Sequence, residues 1–314
     1  MSLPRYQPML ATAWSQPFSD DDWVFEEKVD GFRTLLYWDG SRVELRSRSG
    51  RDVTHLYPEL TAFSAGRPCV VDGEAVVRDT DGVPRFELMQ HRTGVPSLGS
   101  TLAEYPVEFV AFDVLFDGED ITGKGLEERR SHLDPVADIL TVSNIVEEDG
   151  EGLWRRVEEL GLEGMMAKRK GSAYVPGRRV ETWRKIARTL SIRTVVGGFT
   201  VGDGGRAETF GSLQVGLWRG DALQWVGSVG TGFSDSVLVA IRAALDQQVT
   251  EVSPFHPEAD LPKGVRWVEP TLVAMVGIKE WTRHNRMRAP RFLGFTDDEP
   301  TTVTWESERG TKLA

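Results

Sequence analysis

The texture of the sequence changes at Arg188, and that change limits the fold more than any single motif does. Before it, long strand-like runs are mixed with short amphipathic segments. After it come "SIRTVVGGFTVGDG", "FGSLQVGLWRG" and "ALQWVGSVGTGF", short β-rich runs broken by glycines at the spacing of a small barrel. One helical pattern, about Asp235 to Gln248, interrupts them, and "VRWVEPTLVAMVGIKEWT" and the stretch around "RFLGF" complete roughly five strands. Five short strands and one helix suit an OB-type barrel; an SH3-like or split barrel uses the same elements. No long flexible linker separates the halves, so the reading is two abutting domains, residues 1–190 and 191–314.

In the first half, residues 23–48 alternate apolar and polar positions, and Asp39-Gly40 between "RTLLYW" and "SRVELRSR" predicts a hairpin. "CVVDGEAVVRD" predicts a further strand, and "ELMQHR" after it has helical spacing. The nearly continuous apolar run "VEFVAFDVLFDGEDI" reads as a buried central strand. "GLEERRSHLDP" and "EGLWRRVEELGLEG" read as short amphipathic helices, the second stopped by Gly161 and Gly164.

Charge separates the partner classes. The formal net charge of −11 argues against a nucleic-acid partner, but residues 155–193 hold eleven Lys or Arg against four Glu, a local balance of +7. Such a run can be a solvated face, or it can follow phosphates. "WTRHNRMRAPR" near the C-terminus is a second basic cluster. A lone cysteine, Cys69, and five scattered histidines offer no disulfide and no structural metal site. The N-terminus shows no leader pattern and no run of eighteen apolar residues occurs, which points to a cytoplasmic protein with no membrane partner.

Against that frame stands "FEEKVDGFR", Phe25 to Arg33. A lysine is commonly a solvated surface residue. Lys28, however, falls at a strand end before an Asp-Gly turn, where its amine can be presented at the mouth of a cleft. A neutral lysine amine attacks phosphorus or a carbonyl when burial or neighbouring cations depress its pKa. Glu26, two residues back, shares its strand face.

The stretches "EEKVDGFR", "VDGEAV", "FVAFDVLFDG", "LEGMMAKR", "ETWRKIA" and "RMRAPRFLG" occur in this order. Together they resemble the motif series of the covalent nucleotidyltransferases. Within that superfamily, "SRSGRDVTHLYPEL" and "VGSVGTGFSD" make the chain most similar to the compact bacterial ATP-dependent DNA ligases, and the resemblance covers nearly the whole length. It implies an α+β fold: an adenylation domain with mainly antiparallel sheets, then a small OB-type domain. The implied chemistry is attack of Lys28 on the α-phosphorus of ATP, transfer of AMP to the 5′-phosphate at a nick, and displacement of AMP by the 3′-hydroxyl.

The same resemblance implies the site. Glu26 matches the residue that reads adenine and Phe112 the aromatic that stacks on it. Arg33 and Glu74 match ribose-side ligands. Glu163, with Glu74, matches the carboxylates that hold Mg²⁺ or Mn²⁺. Lys185 matches a lysine on the α-phosphate, with Lys168 beside it. Arg48 matches a residue that holds the nick 5′-phosphate, and Arg288 the barrel-domain arginine that orients pyrophosphate. The implied partner is nicked double-stranded DNA, bound by a monomer that associates with the nucleoid and, as candidates, with repair or end-joining proteins.

Two departures stand out. Ala187 occupies a position where the family commonly has a second lysine, and Thr296 one where related ligases often have an arginine. For the first, a local bulge brings Arg188 in, Lys168 substitutes for the missing charge, or one step is slow; Arg283, Arg286 and Arg291 are alternatives for the second. These departures keep open a lapsed module that binds nicks without sealing them, beside an RNA-ligase or capping-type nucleotidyltransferase.

Overall fold

The computed structural model describes residues 3–94, 99, 101–137, 139–256, 261–282 and 284–309. The chain divides into two compact units, residues 1–188 and 189–314.

Among the described residues the first unit contains ten strands: β1 (Leu10–Ala13), β2 (Trp23–Glu27), β3 (Phe32–Trp38), β4 (Val43–Ser47), β5 (Cys69–Val76), β6 (Glu108–Asp117), β7 (Thr141–Val142), β8 (Ile145–Glu147), β9 (Gly164–Arg169) and β10 (Arg179–Ala187). They form two five-stranded sheets, in the orders β1-β10-β9-β2-β8 and β4-β3-β5-β6-β7. All pairings are antiparallel except β1 with β10 and β6 with β7. The alternating stretch 23–48 is thus split between sheets, because β2 lies in one and the β3–β4 hairpin in the other. Gly40 at the hairpin turn has a φ of 96°, as the Asp-Gly signal requires.

Leu35 and Tyr37 from β3, Val70 from β5, Phe112 and Leu115 from β6 and Trp183 from β10 are buried in one cluster that draws on both sheets. The opposite face of the first sheet packs Phe25, Met165, Ala167 and Ile186 against Leu153 and Val157 of the helix Gly150–Glu159. The outer face of the second sheet buries Leu36, Leu45, Val71 and Ala75 with Met89 of the helix Phe86–Thr93. Alternation along each strand therefore supplies two different cores, and the apolar run at β6 is buried from Phe109 to Phe116.

The second unit contains β11 (Leu190–Val201), β12 (Phe210–Arg219), β13 (Ala222–Val229), β14 (Val249–Thr250), β15 (Val265–Ile278), β16 (Glu280–Trp281), β17 (Met287–Arg288) and β18 (Arg291–Thr296). Its five longer strands are ordered β13-β12-β11-β15-β18, all antiparallel. The helix Asp235–Asp246 sits between the third and fourth of them in sequence. The Phe292 amide at the start of β18 donates to the Thr231 carbonyl just after β13, at 2.9 Å, bringing the fifth strand back to the third. That order and return are those of an OB barrel, which resolves the alternatives left by strand counting. No described helix is long and apolar enough to cross a membrane.

Candidate active site

Lys28 lies one residue past β2, and its amide continues the ladder by donating to the Gly164 carbonyl at the start of β9, at 2.8 Å. That register puts Lys28 opposite Gly164 and therefore next to Glu163, the residue before it. The Lys28 Nζ and Glu163 Oε1 are 2.6 Å apart, with the lysine side chain 25% and the glutamate 7% exposed. Two glycines make the approach possible. Gly164 has a φ of 154°, and a Cβ there would meet the Ile186 carbonyl at 2.2 Å; a Cβ on Gly31 would meet the Ala75 carbonyl at 2.3 Å. The Asp30-Gly31 step is where the chain leaves the first sheet and joins β3, pressed against β5.

Cross-strand register then collects side chains on one face. Glu26 pairs with Met166, Val24 with Lys168, Lys168 with Trp183 and Met166 with Lys185, so Glu26, Lys168, Trp183 and Lys185 share the face that Lys28 extends. They line a cleft of about 190 Å³, open to solvent, with Arg33, Arg48, Glu74 and Phe112 from the second sheet. Nine of the ten residues assigned above thus come together in the first unit: Lys28 and seven others line the cleft, and Glu163 is bound to Lys28. Arg288 belongs to the second unit, where its guanidinium is paired with Glu280.

One end of the cleft is apolar and tightly wired. Phe112 and Trp183 meet edge to face at 6.2 Å, and the Lys168 ammonium lies 4.4 Å and 4.3 Å from their ring centroids. Lys168 is paired with Glu26. Burial lowers the Lys168 pKa, with the Glu26 charge opposing that shift. The Glu26 carboxylate also accepts from Ser143 Oγ at 2.8 Å and from Arg130 at 3.4 Å. Arg130 in turn donates to the carbonyls of Phe112 and Ser143, at 2.8 and 2.7 Å.

Arg33 closes the floor. Its Nε and Nη2 donate to the two oxygens of fully buried Asp72, each at 2.6 Å, and its guanidinium lies 4.5 Å from the Phe112 ring centroid. Tyr174 donates to the same Asp72 carboxylate at 2.6 Å. Burial acts to lower the Arg33 pKa, but the Asp72 charge and hydrogen bonds outweigh it, and the net shift is upward. Glu74 sits in a different field. Burial pushes its carboxyl up to about 8, against the pull of Arg33 and Lys28, and Glu163 and Asp72 push the same way as burial.

The other end is cationic. Lys185, Arg48 and Arg179 form no ion pair among the described residues, whereas Lys28, Lys168 and Arg33 each have a carboxylate. The Lys185 ammonium is pulled below its ordinary value by burial and by the charges of Lys28, Arg179 and Arg48. An apolar slot with a polar edge, next to a patch of uncompensated positive charge, suits a nucleoside attached to phosphates.

The ATP dependent DNA ligase domain family matches residues 8–187, and the ATP dependent DNA ligase C terminal region matches residues 206–299. The chain belongs to the ATP-dependent DNA ligases. It is 40% identical over 310 residues, 95% of its length, to the multifunctional non-homologous end joining protein LigD of Mycobacterium bovis. The chain spans about 40% of the length of that relative. Two solved structures, a mycobacterial DNA ligase D complexed with ATP and MES and the ligase domain of Mycobacterium tuberculosis LigD, are each 38% identical to it with a TM-score of 0.56. In each case the alignment covers 95% of this chain and 98% of the other.

Within this ligase family the two departures can be located. Ala187 is exposed at the end of β10, on the face of Lys185 by alternation. Arg188 points elsewhere: its side chain donates to the Leu162 and Gly161 carbonyls, at 3.0 and 3.3 Å. No bulge turns it toward the cleft, and Lys168 is engaged by Glu26. Thr296 donates to Asp298 at 2.6 Å. Of the alternatives for the second position, Arg286 stacks on Trp225 at 4.6 Å, Arg291 is exposed on β18, and Arg283 lies outside the described residues.

The basic island at 155–193 is not one surface. Lys168, Arg179 and Lys185 enter the cleft, and Arg184 stacks between Trp14 and Trp23, at 3.9 and 4.4 Å. Arg193 belongs to the second unit, bound to Glu308 and Asp298. Sequence reasoning missed Asp72, Arg130, Ser143 and Arg179. For Asp72 a signal existed, since an acid inside "CVVDGEAVV" must find a partner when the strand is buried. Arg130 read as the polar face of a short helix, and nothing local marks it.

Proposed function

We propose that this ligase adenylylates Lys28 with ATP and passes AMP to the 5′-phosphate at nicks in duplex DNA, sealing them. The observation that carries the reading is the placement of Lys28 in one cleft, bound to Glu163 at 2.6 Å, between the Phe112–Trp183 slot and the cations Arg48 and Lys185. The slot takes adenine, with Glu26 at its edge. The cationic end takes phosphate, with Lys185 on the α-phosphate and Arg48 on the nick 5′-phosphate. In the first step the Lys28 nitrogen bonds to the α-phosphorus, the bond from that phosphorus to the β-phosphate oxygen breaks, and pyrophosphate leaves. The amine must shed protons to attack, and Glu163 is placed to receive one.

Glu74 and Glu163 are hard oxygen donors close enough to repel each other, which fits a divalent cation between them. Among the described residues no three His, Cys, Asp or Glu gather into a metal site, so the remaining ligands would be phosphate oxygens and water. Bound there, Mg²⁺ or Mn²⁺ would offset phosphate charge as a Lewis acid. Arg288, from the second unit, orients the pyrophosphate. The relatives named for non-homologous end joining support a role in end joining or repair, with nicked DNA as partner and a cytoplasmic, nucleoid-associated setting. The domain limits we propose are 1–190 for adenylation and 191–314 for the OB domain.

Incubation with α-labelled ATP and Mg²⁺, followed by denaturation, tests the reading. An acid-labile adenylate on the wild type and none on Lys28→Ala are expected, with sealing of a singly nicked duplex. An unlabelled wild type sinks the ligase assignment in favour of a nick-binding module; labelling by GTP, or sealing of RNA alone, moves the substrate class.

A further inference from the structure

Transfer of a nucleotidyl group gathers negative charge on the non-bridging oxygens of the α-phosphate, and a fixed cation there stabilises the transition state. Position 187, two residues beyond Lys185 on the same strand face, holds alanine. Neither Arg188 nor Lys168 makes good the loss, since each is engaged with other groups of the fold.

Arg179, at the other end of β10, reaches the cleft through an irregularity in its pairing with β1. Ala11 and Thr12 are consecutive on β1, yet their partners on β10 are Val180 and Arg184, so residues 181–183 are skipped in the register with β1 while Trp183 stays paired with Lys168 on β9. Six extended residues would separate Arg179 from Lys185 by about 20 Å along the strand. Measured against β1, the same two residues lie opposite Leu10 and Ala13, only three steps apart, or about 10 Å. The Arg179 guanidinium donates to the Ala11 carbonyl, which fixes it at the cleft rim. Its other N–H groups have no protein partner among the described residues, and the side chain lines the cleft with Lys28, Arg48 and Lys185.

We propose that Arg179 supplies the α-phosphate cation that position 187 lacks, brought into range by the register skip at residues 181–183. The assignment rests on the reading of Lys28 as the adenylylated nucleophile. The positive field at Lys185, to which Arg179 contributes, agrees with it.

Single-turnover formation of the lysyl adenylate from α-labelled ATP tests this in the full chain, using Arg179→Ala, Arg179→Lys, Ala187→Lys and the double variant Arg179→Ala/Ala187→Lys. Loss of the guanidinium is expected to slow adenylation on the order of 100-fold, as for removal of one charge-stabilising donor. Arg179→Lys should keep most of the rate. The double variant should recover at least tenfold over Arg179→Ala, a gain that impaired folding cannot produce. Adenylation of Arg179→Ala at the wild-type rate overturns the assignment, and so does a double variant no faster than the single one. A defect confined to sealing of a pre-adenylylated nick also overturns it, placing Arg179 on the DNA phosphate instead. A wild type that never labels removes the ligase reading itself, and the assignment with it; a labelled wild type beside an unslowed Arg179→Ala removes the assignment alone.

Discussion

Asp72→Ala should be among the most damaging single changes outside the chemistry itself. Asp72 has no solvent exposure and accepts three hydrogen bonds at 2.6 Å, two from Arg33 and one from Tyr174. Its removal leaves the Arg33 guanidinium, 19% exposed, without its counter-charge against Phe112. Breaking a buried pair by deleting one partner costs about 3–5 kcal/mol. The Tyr174 hydroxyl, which keeps the Met9 amide as donor but loses its acceptor, adds about 1 kcal/mol, for a total near 5 kcal/mol. At roughly 2–4 °C per kcal/mol for a unit of this size, the melting temperature should fall by about 10–20 °C.

Urea unfolding followed by tryptophan fluorescence reads the effect, since Trp183 lies 5.7 Å from the Arg33 guanidinium. The double variant Arg33→Met/Asp72→Leu exchanges both charges for apolar groups of similar bulk and should unfold within about 2 kcal/mol of wild type. A loss under 1 kcal/mol for Asp72→Ala, or a double variant as unstable as the single one, refutes the reasoning that the cost is an unpaired buried charge.

Three further outcomes follow from the same structure. Ser143→Ala removes the 2.8 Å hydrogen bond that steadies Glu26, and the preference for ATP over GTP in adenylate formation should fall by about five- to tenfold, the worth of one such bond; an unchanged ratio detaches Ser143 from base recognition. Burial holds the Glu74 carboxyl up at about 8, well above the ordinary carboxylate range, so the folded state holds a proton that the unfolded chain releases as pH rises through that window. Stability should therefore fall from pH 5 to pH 8 with divalent ions chelated. Glu74→Gln should abolish that slope, gaining on the order of 1–2 kcal/mol at pH 8 after allowance for partial solvent access, and parallel melting curves for the two proteins count against it. Gly31→Ala drives a methyl to 2.3 Å from the Ala75 carbonyl and should cost about 1–3 kcal/mol by chemical denaturation; a neutral result means the Asp30-Gly31 crossing can move away from β5.

Much of this molecule is local and so was readable along the chain. The Asp39-Gly40 hairpin, the helix Phe86–Thr93, the buried strand β6 and the helix Gly150–Glu159 all follow from periodicity and turn residues. Alternation placed Glu26 with Lys28, and Lys185 with Ala187, on shared faces before any sheet was known. What periodicity could not reveal was that β2 and β3, one turn apart, enter different sheets, or that OB closure comes from β18 returning to the end of β13.

The sequence by itself determined the setting of Lys28: a lysine at a strand end, a glycine crossing after it, and a change of fold at Arg188. Only the tertiary structure decided which charges serve it. Asp72 holds Arg33 into the cleft floor, Arg130 and Ser143 hold Glu26, and the +7 island is dealt to three separate places. Arg179 reaches Lys185 because three residues are skipped in a parallel pairing between segments about 170 residues apart. Side-chain direction is set by neighbours two residues away, but the partners a side chain meets are set by register between distant strands, which no local pattern encodes.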